Sequence, residues 1–423
     1  MKPKLLTALH DYSWRLFVGD AIAGFTVALV ALPLSIAIAI ASGANPKAGL
    51  VTAIVGGFLI SLLGGSRVQI GGPTGAFIVV VASVIAQFGF DGLLLATLLA
   101  GFILVVGGLI RAGRFISLVP EAVIEGFTVG IALIIAVSQL KDLLGLSTAH
   151  VPADLIHGLP ALWAARSQVN VTALAVGAFA IAGIALLRHR IPWFPGSLLV
   201  VAAASALVAL LPLPVDTIYS RFGALPTGLP MPSLPHVSIA RISALLPSAF
   251  VIAFLAAVES LLSAIVADRM IGGKHRSTAE LLAQGAANIA SPLFGGLPAT
   301  GAIARTATNV RAGGKTPIAG IVHALVILFI TLGAGWLTGY LAMPALAGLL
   351  IVTAWVMSEP HRWGERMRLR AGDRTLLFLT MILTIATDLT IAIAVGTVAG
   401  LALRLIRKDV EPEEWTPADR SQL

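Results

Sequence analysis

Long apolar stretches separated by short polar breaks run along nearly the whole chain. A helix needs about 20 residues to cross a bilayer. By that measure the pattern predicts twelve spanning helices, at 18–41, 48–64, 90–110, 118–140, 170–187, 195–213, 243–267, 278–294, 316–335, 338–357, 374–389 and 390–406. Two further stretches, 74–87 and 300–310, are shorter, and each follows a break rich in glycine and proline. Short segments of this kind are typical of half-helices that begin inside the membrane.

Composition indicates a polytopic membrane protein of the all-α class. Of 423 residues, 57% are hydrophobic and 11% are charged, and the mean hydropathy of +0.96 lies far above that of soluble domains. The chain also has 43 glycines and 23 prolines, which lipid tolerates mainly where helices pack closely or break around a cavity. A transporter with an internal cavity is therefore favoured.

The distribution of positive charge predicts a topology. Lys and Arg cluster between apolar stretches, as in cytoplasmic loops, so the net charge of +8 does not indicate nucleic acid binding. Fourteen segments place both termini on one side of the inner (plasma) membrane, and with that side cytoplasmic, 22 basic residues face the cytoplasm. Five lie outside, at Lys47, Lys141, Arg166, Arg221 and Arg241. The remaining basic residue, Arg305, does not lie in any predicted loop.

The two short segments also indicate an internal repeat. The sequences TGAF, from Thr74, and TGAI, from Thr300, follow glycine-proline breaks at an offset of 226 residues. Seven segments per half is an odd number, so the halves would enter the membrane with opposite topology, with half-helices at segments 3 and 10. The predicted parts are a cytoplasmic N-terminus (1–17), a first repeat (18–213), an external loop (214–242), a second repeat (243–406) and a short cytoplasmic tail (407–423).

Half-helix ends inside the membrane are suited to bind an anion. The first N–H groups of a helix have no partner within the helix, and the helix dipole makes that end partly positive. Small residues at 75–76 and 301–302 leave room for a ligand, while Thr74 and Thr300 are able to cap the helix or donate a hydroxyl. The alternative is that both breaks are kinks packed against neighbouring helices, but two similar breaks in corresponding halves favour a binding site.

Charged residues inside predicted spans are functional candidates, because an unpaired charge there is costly. Glu259 lies deep in SAFVIAFLAAVESLLSAIVAD, and Ser263 one turn later shares its helix face. Burial favours the neutral form of a carboxyl group, which suits a proton carrier. The alternative is a structural ion pair between Glu259 and Arg305 that moves no proton. His323, alone in an apolar span, is expected to form a hydrogen bond between helices.

Motifs for catalysis are missing from the sequence. No GxxxxGK[ST] is present to bind ATP, and no HExxH, GxSxG or CxxC occurs. The chain has no cysteine, which excludes a thiolate nucleophile. We therefore expect no enzyme activity, no cofactor and no metal site.

Several motifs together resemble the SulP (sulfate permease) family of anion transporters, also called solute carrier family 26. The similar stretches cover nearly the whole chain: DAIAGFTVALVALPLSIAIA, GGPTGAF, VIEGFTVGIALIIAVSQLKDLLG, and ESLLSAIVADRM through GGLPATGAIARTATNVRAGGKTPIAG. The resemblance implies two inverted repeats of seven segments, with a core domain from segments 1–4 and 8–11 and a gate domain from segments 5–7 and 12–14. The core would move against the gate like an elevator and carry the anion between the half-helices.

By position, the resemblance implies an anion site made from the first span and the two half-helices. Its members are Leu34, Ile38, Thr74, Gly75, Ala76, Gly301, Ala302, Ile303, Ala304 and Arg305. Glu259 and Ser263 match the positions associated with ion coupling. Sodium-driven bicarbonate members are similar but carry a threonine where this chain has Ile303, so the lost hydroxyl favours proton over sodium coupling.

The sequence thus predicts proton-coupled symport of a small anion of the sulfate, bicarbonate or dicarboxylate class. Sodium-coupled bicarbonate transport and an uncoupled channel or exchanger are the alternatives; a nucleobase permease would need a second acidic residue that LPATGAIART lacks. SulP proteins usually continue into a STAS domain, for which the residues after the last span are too few. The expected partners are the anion, a proton or less favourably sodium, and the lipid bilayer, with a homodimer left open.

Overall fold

A computed structural model describes residues 2–10, 12–113, 120–146, 155–191, 195–224, 228–387 and 389–406. Most of these residues are helical, and the described strands form a single antiparallel pair. The tail predicted at 407–423 lies outside the described residues. The predicted helical class is confirmed, and the strand pair is a feature that the hydrophobic pattern does not predict.

The first half of the described chain contains helices interrupted by one strand and short turns. The helices are α1 (Lys4–Ala8), α2 (Trp14–Ala41), α3 (Pro46–Val51), α4 (Gly57–Leu63), α5 (Ile78–Leu109), α6 (Glu121–Ser138), α7 (Leu140–Leu143), α8 (Leu155–Ala164), α9 (Val171–Arg190) and α10 (Gly196–Leu210). A π-helical turn (Thr52–Gly56) joins α3 to α4. Strand β1 (Gly71–Gly72) and a 3₁₀ turn (Gly75–Phe77) precede α5.

The second half of the described chain likewise consists of helices and one short strand. The helices are α11 (Ile218–Phe222), α12 (Ile239–Ile271), α13 (Ser277–Leu293), α14 (Ile303–Arg311), α15 (Ile318–Ala334), α16 (Met343–Met357), α17 (Trp363–Met367), α18 (Ala371–Ala386) and α19 (Leu389–Ile406). Strand β2 (Thr300–Gly301) precedes α14. The remaining 3₁₀ turns are Arg166–Gln168, Gly335–Tyr340 and Pro360–Arg362.

The helices lie close to where the apolar pattern predicts them. Within the described ranges, eight helices are long and apolar enough to cross a membrane, and two more apolar helices are shorter. The stretches predicted at 74–87 and 90–110 correspond to two helical parts of α5, which are separated by a non-helical residue at Gly89, where φ is 72°. The stretch predicted at 338–357 begins only at Met343, because residues 335–340 form a 3₁₀ turn after α15.

Strands β1 and β2 join the two Gly/Pro-rich breaks. Gly71 lies opposite Gly301, and Gly72 lies opposite Thr300. The pairing gives extended backbone inside the membrane some of the partners that a helix would otherwise supply. It also corrects the predicted repeat: Thr300 lies in β2, whereas Thr74 lies outside β1 and directly precedes the 3₁₀ turn before α5. The two threonines are not structurally equivalent, and the offset that matches them is wrong.

A buried polar face of α13 holds the chain on its way into both breaks. Glu280 accepts hydrogen bonds from the amides of residues 65 and 66, at 2.9 and 3.2 Å. Asn288, two turns later, donates to the carbonyl of Ala299 at 2.7 Å and accepts from its amide at 2.9 Å. Gln284 lies between them and donates to Glu280 at 2.9 Å. Because unpaired backbone groups are costly in a buried position, this face determines the path of both loops.

Helices pack in two groups. In one group α2 packs against α15, and α5 packs against α12 and α13; in the other, α6 packs against α16 and α18, and α9 packs against α16. Glycine permits close crossings, since a methyl group built on Gly285 of α13 would lie 2.9 Å from the carbonyl oxygen of Gly101 in α5. Small residues at helix crossings are the usual means of close packing in membranes.

The carboxylate of Asp20 holds the start of α15 against α2. It accepts hydrogen bonds from the amides of Lys315 and Thr316, at 2.7 and 3.1 Å. The hydroxyl of Tyr12, which precedes α2, donates to the same carboxylate at 3.0 Å. Burial, together with the neighbouring negative charge of Asp20, raises the pKa of Tyr12 to about 12. Tyr12 is therefore a permanent donor to Asp20 at neutral pH.

We expect Asn288→Leu to destabilise the fold. Leucine has the same branching and the same number of side-chain heavy atoms as asparagine, but it leaves both backbone groups of Ala299 without partners, at a cost of about 1–3 kcal/mol for each. The midpoint of thermal unfolding in detergent should fall by several degrees. Gln87→Leu, at an exposed position, should leave the midpoint within about 1 °C of the parent value. An unchanged midpoint for Asn288→Leu would show that Asn288 does not hold this loop.

Candidate functional site

The first half-helix begins at Thr74. The turn Gly75–Phe77 leads from this residue into α5, and the amide of Phe77 donates back to the carbonyl of Thr74 at 3.2 Å. Within the described residues, the amides of Gly75 and Ala76 have no hydrogen-bond acceptor. These two N–H groups at a helix N-terminus are available to a ligand.

The second short helix, α14, begins at Ile303, three residues after the start of the predicted segment 300–310. The amide of Gly301 donates to Oγ of Ser260 at 2.9 Å, and the amide of Ala302 donates to the carbonyl of Ile70 at 2.8 Å. Both groups are therefore engaged in holding the break and are not available to a ligand. The N–H groups of residues 303–305 have no acceptor in the described part of the chain, so they are the ones open to a ligand.

Neither threonine caps its helix with its side chain. Oγ1 of Thr74 donates to Oε2 of Glu259 at 2.8 Å. The hydroxyl of Thr300 lies 2.8 Å from that of Ser260 and donates to the carbonyl of Ala256 at 3.1 Å. Thr300 thus fastens β2 to α12, whereas Thr74 brings the acidic residue of α12 to the first half-helix.

Glu259 and Ser263 share a face of α12, as their spacing predicts, but they contact different half-helices. Glu259 is partly exposed, and it contacts Thr74. Ser263 is buried, with its hydroxyl 3.2 Å from that of Thr306 in α14. The hydroxyl of Thr306 also accepts from the amide of Ile70 at 3.1 Å. A hydroxyl from α14 therefore does lie next to Ser263, although it comes from Thr306 and not from position 303.

Arg305 is buried behind the two half-helices, with 2% of its surface exposed. Its Nη2 donates to the carbonyl of Pro73 at 2.8 Å and to the hydroxyl of Ser35 at 3.3 Å. Within the described ranges no direct ion pair or hydrogen bond joins it to Glu259, whose carboxylate accepts from Thr74 instead. Its Nε and Nη1 have no partner among the described residues. Arg305 links α14 to the first break and to α2.

The predicted lining residues differ in how much surface they present. Leu34, Ala76 and Ile303 are partly exposed, and Ala304 is exposed. Ile38 is buried in the core. Gly75 faces the other group of helices, because a methyl group built on it would lie 3.1 Å from Sδ of Met357 and 3.5 Å from Cδ1 of Ile135. The start of the first short segment therefore lies where the two groups of helices meet.

Some polar residues near the site were not singled out by their sequence pattern. Ser260 holds the amide of Gly301, and Nε2 of Gln69 donates to the carbonyl of Ser260 at 3.1 Å. Asn309 donates to the carbonyl of Val68 at 2.8 Å. The detectable signal was the presence of amide and hydroxyl side chains inside apolar spans. Their roles depend on which of the two breaks they contact. The spacing of residues along one helix does not reveal this.

His323 contradicts its expected role as a bridge between helices. It is fully buried in α15. Neither ring nitrogen has a hydrogen-bond partner among the described residues. Cε1 of its ring would lie 3.7 Å from a methyl group built on Gly57, which places the imidazole beside the helix that precedes β1.

Comparison with known sequences shows a consistent similarity. The model of the Sulfate permease family matches residues 17–382. YvdB of Bacillus subtilis (strain 168), whose name assigns it provisionally to sulfate transport, is 40% identical over 386 residues, 91% of this chain and 73% of YvdB. The bicarbonate transporter BicA of Picosynechococcus is 31% identical over 400 residues, 92% of this chain and 70% of BicA.

Solved structures have the same fold. The transmembrane domain of a cyanobacterial bicarbonate transporter, BicA, superposes with a TM-score of 0.81 at 29% identity and covers 92% of this chain and 98% of that one. The structure of SLC26A9 superposes with a TM-score of 0.87 at 18% identity and covers 96% of this chain and 68% of that one. At such low identity the second likeness shows the fold alone.

We expect the two threonines to respond differently to valine, which keeps the shape and removes the hydroxyl. Thr300→Val should lower the midpoint of thermal unfolding, because it removes the partner of a fully buried serine, Ser260. Thr74→Val should leave the midpoint nearly unchanged, because water replaces its hydroxyl at the partly exposed Glu259, but should lower the transport rate about tenfold. Equal losses of stability in both variants would contradict this division of roles.

Proposed function

We propose that this chain is a proton-coupled symporter of a small anion. The chain belongs to the sulfate permease family and is therefore an anion transporter and not an enzyme. Sulfate and bicarbonate are the anions that we favour, because the names of the relatives above include both. The observation that carries the proposal is the hydrogen bond from Thr74 to Glu259, at 2.8 Å.

This hydrogen bond joins the carboxyl group that would carry the proton to the start of the first half-helix. When Glu259 is ionised, its charge opposes an anion at the amides of Gly75 and Ala76. When Glu259 takes up a proton, that repulsion is lost and the hydroxyl of Thr74 is free to donate to the anion. Proton binding and anion binding therefore favour each other, which is the thermodynamic requirement for symport.

The positive charge of the site has two sources. The ends of the two half-helices contribute partial charges through their unpaired N–H groups. Arg305 contributes a full charge from behind, where it also holds the carbonyl of Pro73. Because its side chain is almost fully buried, we assign to Arg305 an attraction through space and not a direct contact with the anion. Gly75 has no side chain and the exposed Ala304 has only a methyl group, so neither side chain covers the amides.

An elevator motion with fourteen segments in two inverted repeats is part of the same proposal. The proposed core domain comprises α2 to α5 and α12 to α15, and the proposed gate domain comprises α6, α9, α10, α16, α18 and α19. The packing of α2 on α15 and of α6 on α18 supports this division. Gly75 of the core lies against Ile135 and Met357 of the gate. Movement of the core past these two side chains would expose the anion on alternate sides.

The predicted topology, with repeats at 18–213 and 243–406 and cytoplasmic termini, is likewise a proposal. Contacts between loops support it. The amide of Lys4 donates to the carbonyl of Gly64, and Nη1 of Arg276 donates to the carbonyl of Lys2 at 2.8 Å. The N-terminus and the loops around residues 64 and 276 therefore lie together. The charge pattern assigns all three regions to the cytoplasmic side.

Sodium-coupled bicarbonate transport is a second candidate, which the pair Ser263 and Thr306 favours. Their hydroxyls lie 3.2 Å apart, and hydroxyl and carboxylate oxygens are the ligands that hard cations prefer. Thr306 would supply the hydroxyl that Ile303 lacks. A sodium gradient that drives uptake in the absence of a proton gradient would favour this candidate over proton coupling.

We expect Glu259→Gln to abolish proton-driven uptake. Glutamine keeps the size of the side chain but does not exchange a proton, so uptake of labelled sulfate or bicarbonate into proteoliposomes should no longer depend on an inward proton gradient. Exchange of internal for external anion should persist. Glu365→Gln, whose side chain is 62% exposed, should keep the full dependence on the gradient. If Glu259→Gln also keeps it, Glu259 is not the proton carrier; if the parent chain fails to accumulate anion, it is a passive channel.

We expect Arg305→Ala to weaken anion binding about tenfold or more, because a full positive charge near the site is lost. Thermal stabilisation of the purified protein by sulfate, bicarbonate and chloride measures the affinity, since ligand binding raises apparent stability by mass action. The same panel identifies the preferred anion. Arg305→Lys keeps the charge but loses the planar fork of donors, so its affinity should lie between those of the parent and the Ala variant. Unchanged affinity in the Ala variant would reduce Arg305 to a structural role.

A further inference from the structure

A stripe of small residues follows one face of the helix Pro46–Leu63 where it passes β1. Ala53, Gly57 and Ser61 are spaced four residues apart and share this face. A methyl group built on Gly57 would lie 2.9 Å from the carbonyl oxygen of Gly71 and 3.7 Å from Cε1 of His323. We name the region bounded by Ala53, Gly57, Ser61 and His323 the His323 seam.

Two more polar side chains lie at the ends of the His323 seam. At one end, a methyl group built on Gly72 would collide with Nη1 of Arg305 and lie 3.5 Å from Cα of Ala53. At the other end, a methyl group built on Gly320, one turn before His323, would collide with the hydroxyl of Ser61. The seam therefore extends from the guanidinium group of Arg305, past the imidazole, to the hydroxyl of Ser61.

The polar atoms along the seam lack partners within the described part of the chain. They are Nε and Nη1 of Arg305, both ring nitrogens of His323, and Oγ of Ser61. All three side chains are buried, with exposed fractions of 2%, 0% and 4%. Nε and Nη1 together carry three N–H donors, and an imidazole always has at least one donor. Buried polar atoms in proteins pair with protein groups or with ordered water, so water is the partner that this arrangement requires.

The helix is distorted at the Arg305 end of the seam. Thr52–Gly56 form a π turn. The hydroxyl of Thr52 donates to the carbonyl of Ala48 at 2.7 Å and accepts from the amide of Leu297 at 2.6 Å. Single π turns inside helices are uncommon and occur frequently at functional sites. This one places Ala53 beside the guanidinium group and fastens the loop before β2 to the same helix.

We propose that the His323 seam holds a chain of ordered water molecules that connects Ser61 and His323 to the unpaired nitrogens of Arg305, and that His323 is thereby a positioning residue for the guanidinium group. No side chain larger than a hydroxymethyl group projects from positions 53, 57 and 61, and the unpaired polar atoms supply the partners that a buried water needs. Nη2 is already held by Pro73 and Ser35. The water would hold Nε and Nη1, so that the guanidinium group cannot rotate away from the half-helices.

Direct observation of the water tests the structural part of this inference. A structure of the whole chain in lipid nanodiscs, at a resolution that shows ordered water, should contain water within about 2.6–3.2 Å of a ring nitrogen of His323 and of Nη1 of Arg305. A dry seam, or direct protein partners for both ring nitrogens, would overturn the inference. This outcome does not depend on what the protein transports.

Anion affinity tests the positioning role, which rests on the proposed function. His323→Leu keeps a similar volume and removes both ring nitrogens, so the anion affinity measured by thermal stabilisation with sulfate and bicarbonate should fall about tenfold. His323→Gln restores a donor and an acceptor and should bind within about threefold of the parent. Thr331→Val is the matched control on α15, since the hydroxyl of Thr331 donates within its own helix to Ile327 at 2.7 Å, and it should bind as the parent does.

The double variant His323→Leu with Arg305→Ala separates this inference from the proposed function. If His323 acts through Arg305, the double variant binds as weakly as Arg305→Ala alone; an additive loss, or an unchanged affinity for His323→Leu, overturns the inference. An unchanged affinity for Arg305→Ala is instead a failure of the proposed function. If His323→Leu does not fold, Ser61→Ala, which removes one hydroxyl, replaces it under the same criteria.

Discussion

Extended backbone in the interior of a membrane protein creates the constraint on which the rest of this structure depends. Each N–H and C=O group that leaves a helix there needs a partner that lipid does not supply. The pairing of β1 with β2 meets part of this need. Side chains of neighbouring helices meet more of it, as Asn288 does for Ala299 and Ser260 does for the amide of Gly301. Polar residues inside apolar helices are therefore the framework that makes two half-helices possible.

The backbone groups that this framework leaves unpaired are those at the half-helix ends. Ser260 and Ile70 engage the amides of Gly301 and Ala302, so the open N–H groups on the second side begin at residue 303. On the first side they are at 75 and 76, next to the threonine that contacts Glu259. Structural support and ligand binding thus use adjacent groups of one backbone. A substitution that loosens the support would for this reason also change the site.

The helices and their order were predictable because crossing a membrane requires long apolar segments, and such segments are visible in a single sequence. The two short helical segments after the breaks were predictable for a related reason, since each is too short to span a membrane and follows a Gly/Pro-rich break. The predicted equivalence of Thr74 and Thr300 was wrong, because a similar sequence after each break does not determine the register of the two strands. The expected hydrogen bond of His323 was also wrong, because the groups that face a buried imidazole come from a distant segment, the helix Pro46–Leu63.

The sequence by itself determined that the chain is a helical membrane protein, that two short segments interrupt it, and that Glu259 and Arg305 are charged residues without a loop. These properties follow from the local composition and length of each segment. They do not depend on which helices pack against each other. Only the tertiary structure decided that Glu259 contacts Thr74 and not Arg305, and that Arg305 holds the carbonyl of Pro73. The physical reason is that hydrogen bonds are short and directional, so their partners depend on the positions of segments that lie more than 180 residues apart in the chain.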